Sequence, residues 1–203
     1  MTTLTTMTKL EAVNLLLLNI GQSPVTSITP ASGETIASLG LDVQNAVSTL
    51  DETSREVQAR GGKTNREYKV TLTPSSGNII TIGSDIVAVD LDHFKYSRAD
   101  YDVSIRTGKL YNHATNSYTW TEGIEVMQTR LFDFADLPHH LAWYITVRAA
   151  RKMTDRTDGS ATGHRFGRED EIEAQADYAK NETDIGNRNF IAHRRSVGLR
   201  RRW

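Results

Sequence analysis

An α+β fold is predicted by two changes of apolar period and by the place of each in the chain. Apolar residues recur at helical spacing from about residue 9 to 60, alternate at strand spacing from about 68 to 132, and return to helical spacing after Asp136. Helices and strands kept in separate runs mark an α+β protein, not an alternating one. The simplest assembly is a helical bundle formed by both chain ends, residues 1–62 and 134–186, with a small antiparallel β domain, 63–133, inserted between them and an extended C-terminal tail, 187–203.

The first helix is expected from about Lys9 to Ile20. Thr8 can cap it, and Glu11 three residues later completes a capping box by reaching back to the cap's N–H. Gly21 stops it, because glycine enters the left-handed C-terminal conformation at little steric cost. Leu10, Val13, Leu17 and Ile20 form one stripe, but Leu15, Leu16 and Leu18 make the helix apolar nearly all round. Such a helix is central in a core or pressed between subunits. Pro24, Pro30 and Gly33 mark the loop that follows. The second helix is expected from about Leu41 to Arg60, with Val43, Ala46, Val47, Leu50, Ser54 and Val57 at helical spacing and Gly61-Gly62 at its end.

Tyr68, Val70 and Leu72 then alternate with Lys69, Thr71 and Thr73, the pattern of a half-buried strand. Pro74-Ser75-Ser76-Gly77 is a turn. Residues 79–82, 86–91, 102–106, 109–112, 118–121 and 124–132 read as further strands, and Thr107-Gly108 as a tight hairpin. Six or seven short strands at this spacing favour a small antiparallel sheet, sandwich or open barrel.

A third helix follows Asp136, a plausible cap, with Pro138 in its first turn. Leu141, Tyr144, Ile145, Arg148, Ala149 and Met153 follow one face to about Thr157. Residues 158–163 read as a flexible linker. A fourth helix is expected over about Arg168 to Ile185, with Ile172, Ala176, Ala179 and Thr183 on a sparse apolar face too thin to hold it by burial alone.

Hydrophobic residues make up 38% and charged residues 24% of the 203, which excludes a disordered or low-complexity chain. No purely apolar run, Leu15 to Leu18 included, approaches the roughly 20 residues that span a bilayer, and the N-terminus lacks the pattern of a signal peptide. Zero cysteines exclude disulfides and thiolate chemistry. A soluble protein made in a reducing cytosol is expected.

No enzyme is expected. His139-His140 lies close to Asp133 and Asp136, but adjacent helical residues point about 100° apart and do not chelate one ion as an i, i+4 pair does. Asp155 to Gly159 lacks the later glutamate of a calcium loop. There is no nucleophile elbow, Walker loop or dinucleotide fingerprint. No catalytic residue, metal or cofactor follows.

Charge is the stronger signal. Glu169, Asp170, Glu171, Glu173, Asp177, Glu182 and Asp184 face a single Lys180, whereas the stretch after Asp184 carries Arg188, Arg194, Arg195, Arg200, Arg201 and Arg202 and no acid. Such a tail meets a partner or folds back on its own acids. It could neutralise phosphates. The interleaved Phe190, Ile191, Val197, Leu199 and Trp203 favour a protein groove, since arginine and tryptophan are preferred interface anchors.

Three stretches resemble one family. They are Asn14-x-x-Leu17-x-x-Ile20-Gly21-x-x-Pro24-Val25, then Val57-Gln58-Ala59-Arg60-Gly61, then Phe134-Ala135-Asp136-Leu137-Pro138 with Trp143-Tyr144-Ile145 and Ala149-x-Arg151. In order and spacing they resemble the tail tubular protein A family of autographivirus-type short-tailed phages. One departure is Gly62-Lys63, where the family usually has an aromatic residue after Arg-Gly.

The resemblance implies a non-catalytic virion protein, the head-to-tail adaptor. It implies a dodecameric ring in the neck of the virion tail, assembled in the host cytoplasm without a membrane partner. The ring joins the portal protein to the hexameric tail nozzle, helps to seat the tail fibre, and lets genomic DNA pass through its channel without sequence-specific binding. On this reading Arg188, Phe190, Arg194, Arg195, Arg200, Arg201, Arg202 and Trp203 form a portal-binding tail, and Tyr111, Tyr118 and Trp120 are nozzle- or fibre-facing anchors. The acidic stretch reads as channel-lining charge, as a solvated face, or as a partner for the arginines. The alternative function is a small nucleic-acid-binding or assembly factor acting through the basic C-terminal tail.

Overall fold

In the computed structural model, which describes residues 6–30, 32, 36–92, 95–157 and 161–185, the first helix starts where its capping residues put it. Helix α1 spans Lys9–Asn19. The Glu11 amide donates to Thr8 Oγ1 at 3.2 Å, and the Thr8 amide donates to Glu11 Oε2 at 2.7 Å, so both arms of the capping box are made. At the other end Gln22 N–H donates to the Leu17 carbonyl and Gly21 N–H to that of Leu18, with Gly21 at φ +75°. This is the Schellman arrangement, which satisfies two carbonyls that would otherwise be orphaned. Beyond it, the Asn14 amide pairs with both backbone groups of Val25, at 2.8 and 2.9 Å, and so fastens the following loop to α1.

α1 is not central. It buries Ala12, Val13, Leu16 and Leu17 and leaves Leu18 59% exposed. After a 3₁₀ turn at Ile36–Leu39, helix α2 spans Leu41–Ala59 and buries Val43, Ala46, Leu50, Ser54 and Val57, the face its periodicity predicts.

Five strands follow among the described residues: β1 Arg66–Leu72, β2 Ile86–Asp90, β3 Val103–Arg106, β4 Lys109–Asn112 and β5 Ile124–Arg130. They form a three-stranded antiparallel sheet in the order β1-β5-β2 and a separate β3-β4 hairpin. Thr107 and Gly108 both have positive φ, +49° and +69°. Two such residues make the primed turn whose twist matches that of the flanking strands.

Residues 79–82 and 118–121, expected as strands, make only isolated bridges, Ile79 with Thr119 and Thr81 with Lys109. Their backbone groups are shared out between different neighbours, so neither ladder grows. Tyr68 was expected on the buried side of β1 but is 55% exposed. Two residues, 68 and 69, stand opposite one on β5, and Lys69 has φ +58°. This bulge shifts the alternation by one residue, so Val70 and Leu72 face the strand core without Tyr68.

Helix α3 spans His139–Thr157 and α4 spans Ala161–Ile185. Asp136 does not cap α3; it closes a 3₁₀ turn, Phe134–Asp136. The Pro138 carbonyl accepts from Ala142 N–H at 3.0 Å, so Pro138 stands just before the helix, not inside its first turn. α4 begins seven residues earlier than expected (161 against 168). Gly167 marks the helix crossing, where an added Cβ would stand 3.1 Å from Arg151 Cγ.

Buried apolar side chains form two clusters. One unites α1, α2, α3 and Ala174 of α4; the other unites the strands with Ile80, Ile82, Leu91 and Trp120. α3 is the centre of the first and packs on α1, α2 and α4, with Ala142, Ile145 and Ala149 fully buried. Two buried amides join the chain's entry to the strands and its exit from them. Gln58 Oε1 accepts from Phe132 N–H at 2.8 Å and Gln58 Nε2 donates to the Phe132 carbonyl at 3.1 Å. Asn65 Nδ2 donates to the carbonyls of Gln58 and Arg130, at 2.7 and 2.9 Å.

Candidate assembly surfaces

The portal-binding residues expected in the tail, Arg188, Phe190, Arg194, Arg195, Arg200, Arg201, Arg202 and Trp203, lie outside the described residues. The helix that leads to them is described, and its fastening is polar. Residues 167, 171, 174, 178 and 182 share one face of α4 by their i, i+3 and i, i+4 spacing, and this face meets α3 and the entry to β1.

Glu171 is buried there. One of its oxygens accepts from Arg148 Nη1 at 2.6 Å, and the other pairs with Arg151 Nε. Arg148 also reaches Glu56 of α2 at 2.6 Å, Lys152 adds a contact to Glu56 at 2.5 Å, and Arg151 pairs with Asp155 at 2.8 Å. Three helices are thereby tied by one chain of alternating charges. Farther along, the Tyr178 ring stacks on Tyr144 at 5.5 Å and on His140 at 5.8 Å. Burial pushes its hydroxyl up to about 12. A Cβ on Gly62 would collide with Tyr178 Oη and Glu182 Oε2. Tyr178 of α4 thus closes over Gly62. Glu182 then accepts from the Lys63 N–H and the Thr64 hydroxyl, just ahead of β1.

The expected apolar face of α4 is therefore corrected. Ile172 is 56% exposed, and Ala176, Ala179 and Thr183 face solvent with it. Sequence periodicity missed Glu171, Tyr178 and Glu182 because it weighs apolar residues alone. The usable signal was a carboxylate and a tyrosine in register with Gly167 and Ala174, facing a helix that carries Arg148 and Arg151.

The Lys152 hydrogen bond, opposed by burial and aided by Arg148, holds the Glu56 carboxyl down at about 2 against a usual 4.5. A carboxyl lowered on folding contributes stability above its unfolded pKa and loses it as pH falls through the folded one. The melting temperature should thus fall as pH drops from about 4.5 to about 2. A Glu56→Gln chain should show a shallower fall in that window; an identical slope would remove Glu56 as the cause.

The remaining acids of α4 face elsewhere. Asp170, Glu173 and Asp177 make no ion pair among the described residues and rim an open groove of about 650 Å³ between α1, α3 and α4. Leu15, Trp143, Val147 and Ala174 supply its apolar lining. Trp143 is 39% exposed.

The three aromatic anchors expected on the strands are placed differently from one another. Trp120 is 5% exposed, its Nε1–H donates to the Leu110 carbonyl at 3.0 Å, and Tyr101 stacks on it at 6.5 Å. Tyr111 is buried too, with the Arg106 guanidinium 4.0 Å above its ring. Tyr118 is exposed and meets the Tyr111 ring edge-on at 4.9 Å. An interface anchor must leave one protein to enter another. Of the three, Tyr118 is placed to do so, while Tyr111 and Trp120 hold up the surface beneath it.

Among the described residues, no three His, Asp or Glu side chains converge as a metal site, and no helix is long and apolar enough to cross a membrane. His139 and His140 diverge as adjacent helical residues must, His140 toward Tyr178 and Glu182.

A family model described as Tail tubular protein matches residues 10–188. No curated protein matches the chain.

Proposed function

Because the chain belongs to the tail tubular protein family of phages, and is therefore a structural protein of the virion tail, we propose that it is the head-to-tail adaptor. Twelve copies form a ring beneath the portal, join it to the nozzle, help to seat the fibres and leave a channel for the genome. The protein acts as architecture and not as a catalyst. The observation that carries this reading is the family match, which runs through both helical segments and the strands between them. In a ring each copy offers one face to its left neighbour and another to its right, and rotation closes the set. Exposed apolar residues such as Leu18 and Leu41 suit such contacts.

The cationic tail is assigned to the portal, with Trp203 and the arginines as anchors of the kind interfaces favour. Deleting residues 187–203 should abolish capture by purified portal while leaving the far-UV circular dichroism of the subunit unchanged. Undiminished capture would reject the assignment. The nucleic-acid alternative rests on the same six arginines. It requires duplex DNA binding that weakens with a steep log–log dependence on salt, which an adaptor does not need.

A further inference from the structure

We propose that in the free subunit the arginine-rich segment 186–203 folds back into the groove between α1, α3 and α4 of its own chain. The groove and the segment match in two independent respects. Asp170, Glu173 and Asp177 give the groove a rim of acids without ion partners among the described residues, and the segment has six arginines and no acid. The lining offers Trp143 and Val147 to solvent, and the segment interleaves its arginines with Phe190, Ile191, Val197, Leu199 and Trp203. An exposed indole is a good seat for a guanidinium, which stacks on its face while its edge pairs with a carboxylate.

Reach permits the return. At 1.5 Å per helical residue, the end of α4 at Ile185 lies roughly 12–18 Å beyond Asp177 and Glu173. An extended chain covers about 3.3 Å per residue, so the segment could span roughly 60 Å. A turn after Ile185 therefore brings Phe190 to Arg195 alongside the groove with chain to spare. The inference concerns the free chain and stands whether or not the portal is the tail's final partner. A partner that binds the tail more strongly than the groove does would then have only to release it.

The test is trypsin cleavage after Arg188 and Arg200 in the full-length chain, each rate taken relative to a free peptide of residues 186–203. At low salt, cleavage should be at least about tenfold slower than in the peptide, as expected for a contact worth 1.4 kcal/mol or more. The protection should vanish in about 1 M salt, where the Debye length shrinks to about 3 Å. Glu173→Lys with Asp177→Lys should abolish it at low salt, and adding Arg194→Glu with Arg195→Glu should restore it. Trp143→Ala should weaken it without changing the net charge. Protection must not change on dilution. Peptide-like cleavage of the native chain at low salt would overturn the proposal, as would protection that fades on dilution, which would place the tail in a second copy. The salt arm uses the unaltered protein, so it does not depend on any variant folding.

Discussion

Trp120→Ala should cost about 3–5 kcal/mol of stability, the usual range for removing a large aromatic from a core. The ring is buried among Ile80, Leu110, Ile124 and Val126, and truncation leaves a void that the short strands around it are poorly able to close. It also leaves the Leu110 carbonyl without its indole donor. The denaturant midpoint should fall accordingly, and near-UV dichroism should lose the Trp120–Tyr101 signature. Tyr118→Ala, by contrast, should stay within about 0.5 kcal/mol of the native chain, as surface substitutions usually do. If nozzle binding is lost in Tyr118→Ala with stability intact, the exposed ring is the anchor. If Trp120→Ala proves as stable as the native chain, the indole does not hold the strand core together.

The second large effect is at Glu171, where alanine should cost about 3 kcal/mol. Removing one partner of a buried ion pair leaves the other charge desolvated and uncompensated. Here two guanidinium groups lose a partner at once, although Arg148 keeps Glu56 and Arg151 keeps Asp155, which holds the cost at the lower end of the range. Glu173→Ala, two residues away on the rim of the groove, should change stability by less than about 0.5 kcal/mol. Urea melts of the two variants make the comparison direct. Equal midpoints would mean that the ion pairs do not fasten α4. Replacing Glu171 and both arginines together by apolar residues should recover much of the loss, because no unpaired charge then remains.

Thr8, Glu11 and Gly21 set both ends of α1 by bonds within a few residues, and such bonds can be read from a short window. The same holds for the Thr107-Gly108 turn and for the buried stripes of α2 and α3. The bulge at Tyr68 could not be read this way, since it depends on the residues that β5 places opposite. Nor could the joining roles of Gln58 and Asn65, whose partners Phe132 and Arg130 lie more than 60 positions away along the chain.

α4 shows the division most clearly. Its composition marks it as acidic, helical and poor in apolar residues, and so predicts that burial alone does not hold it. Which side packs was decided by α3, which presents Arg148, Arg151 and Tyr144 and so selects Glu171 and Tyr178 over the more apolar Ile172. The sequence by itself determined the kinds of element, their order, their caps and the separation of acids from arginines, because each arises from neighbours along the chain. The tertiary structure alone decided which acids became internal partners and which were left to line a groove. An ion pair has a definite energy only once both charges have a fixed distance and a shared burial, and those are properties of the packed chain.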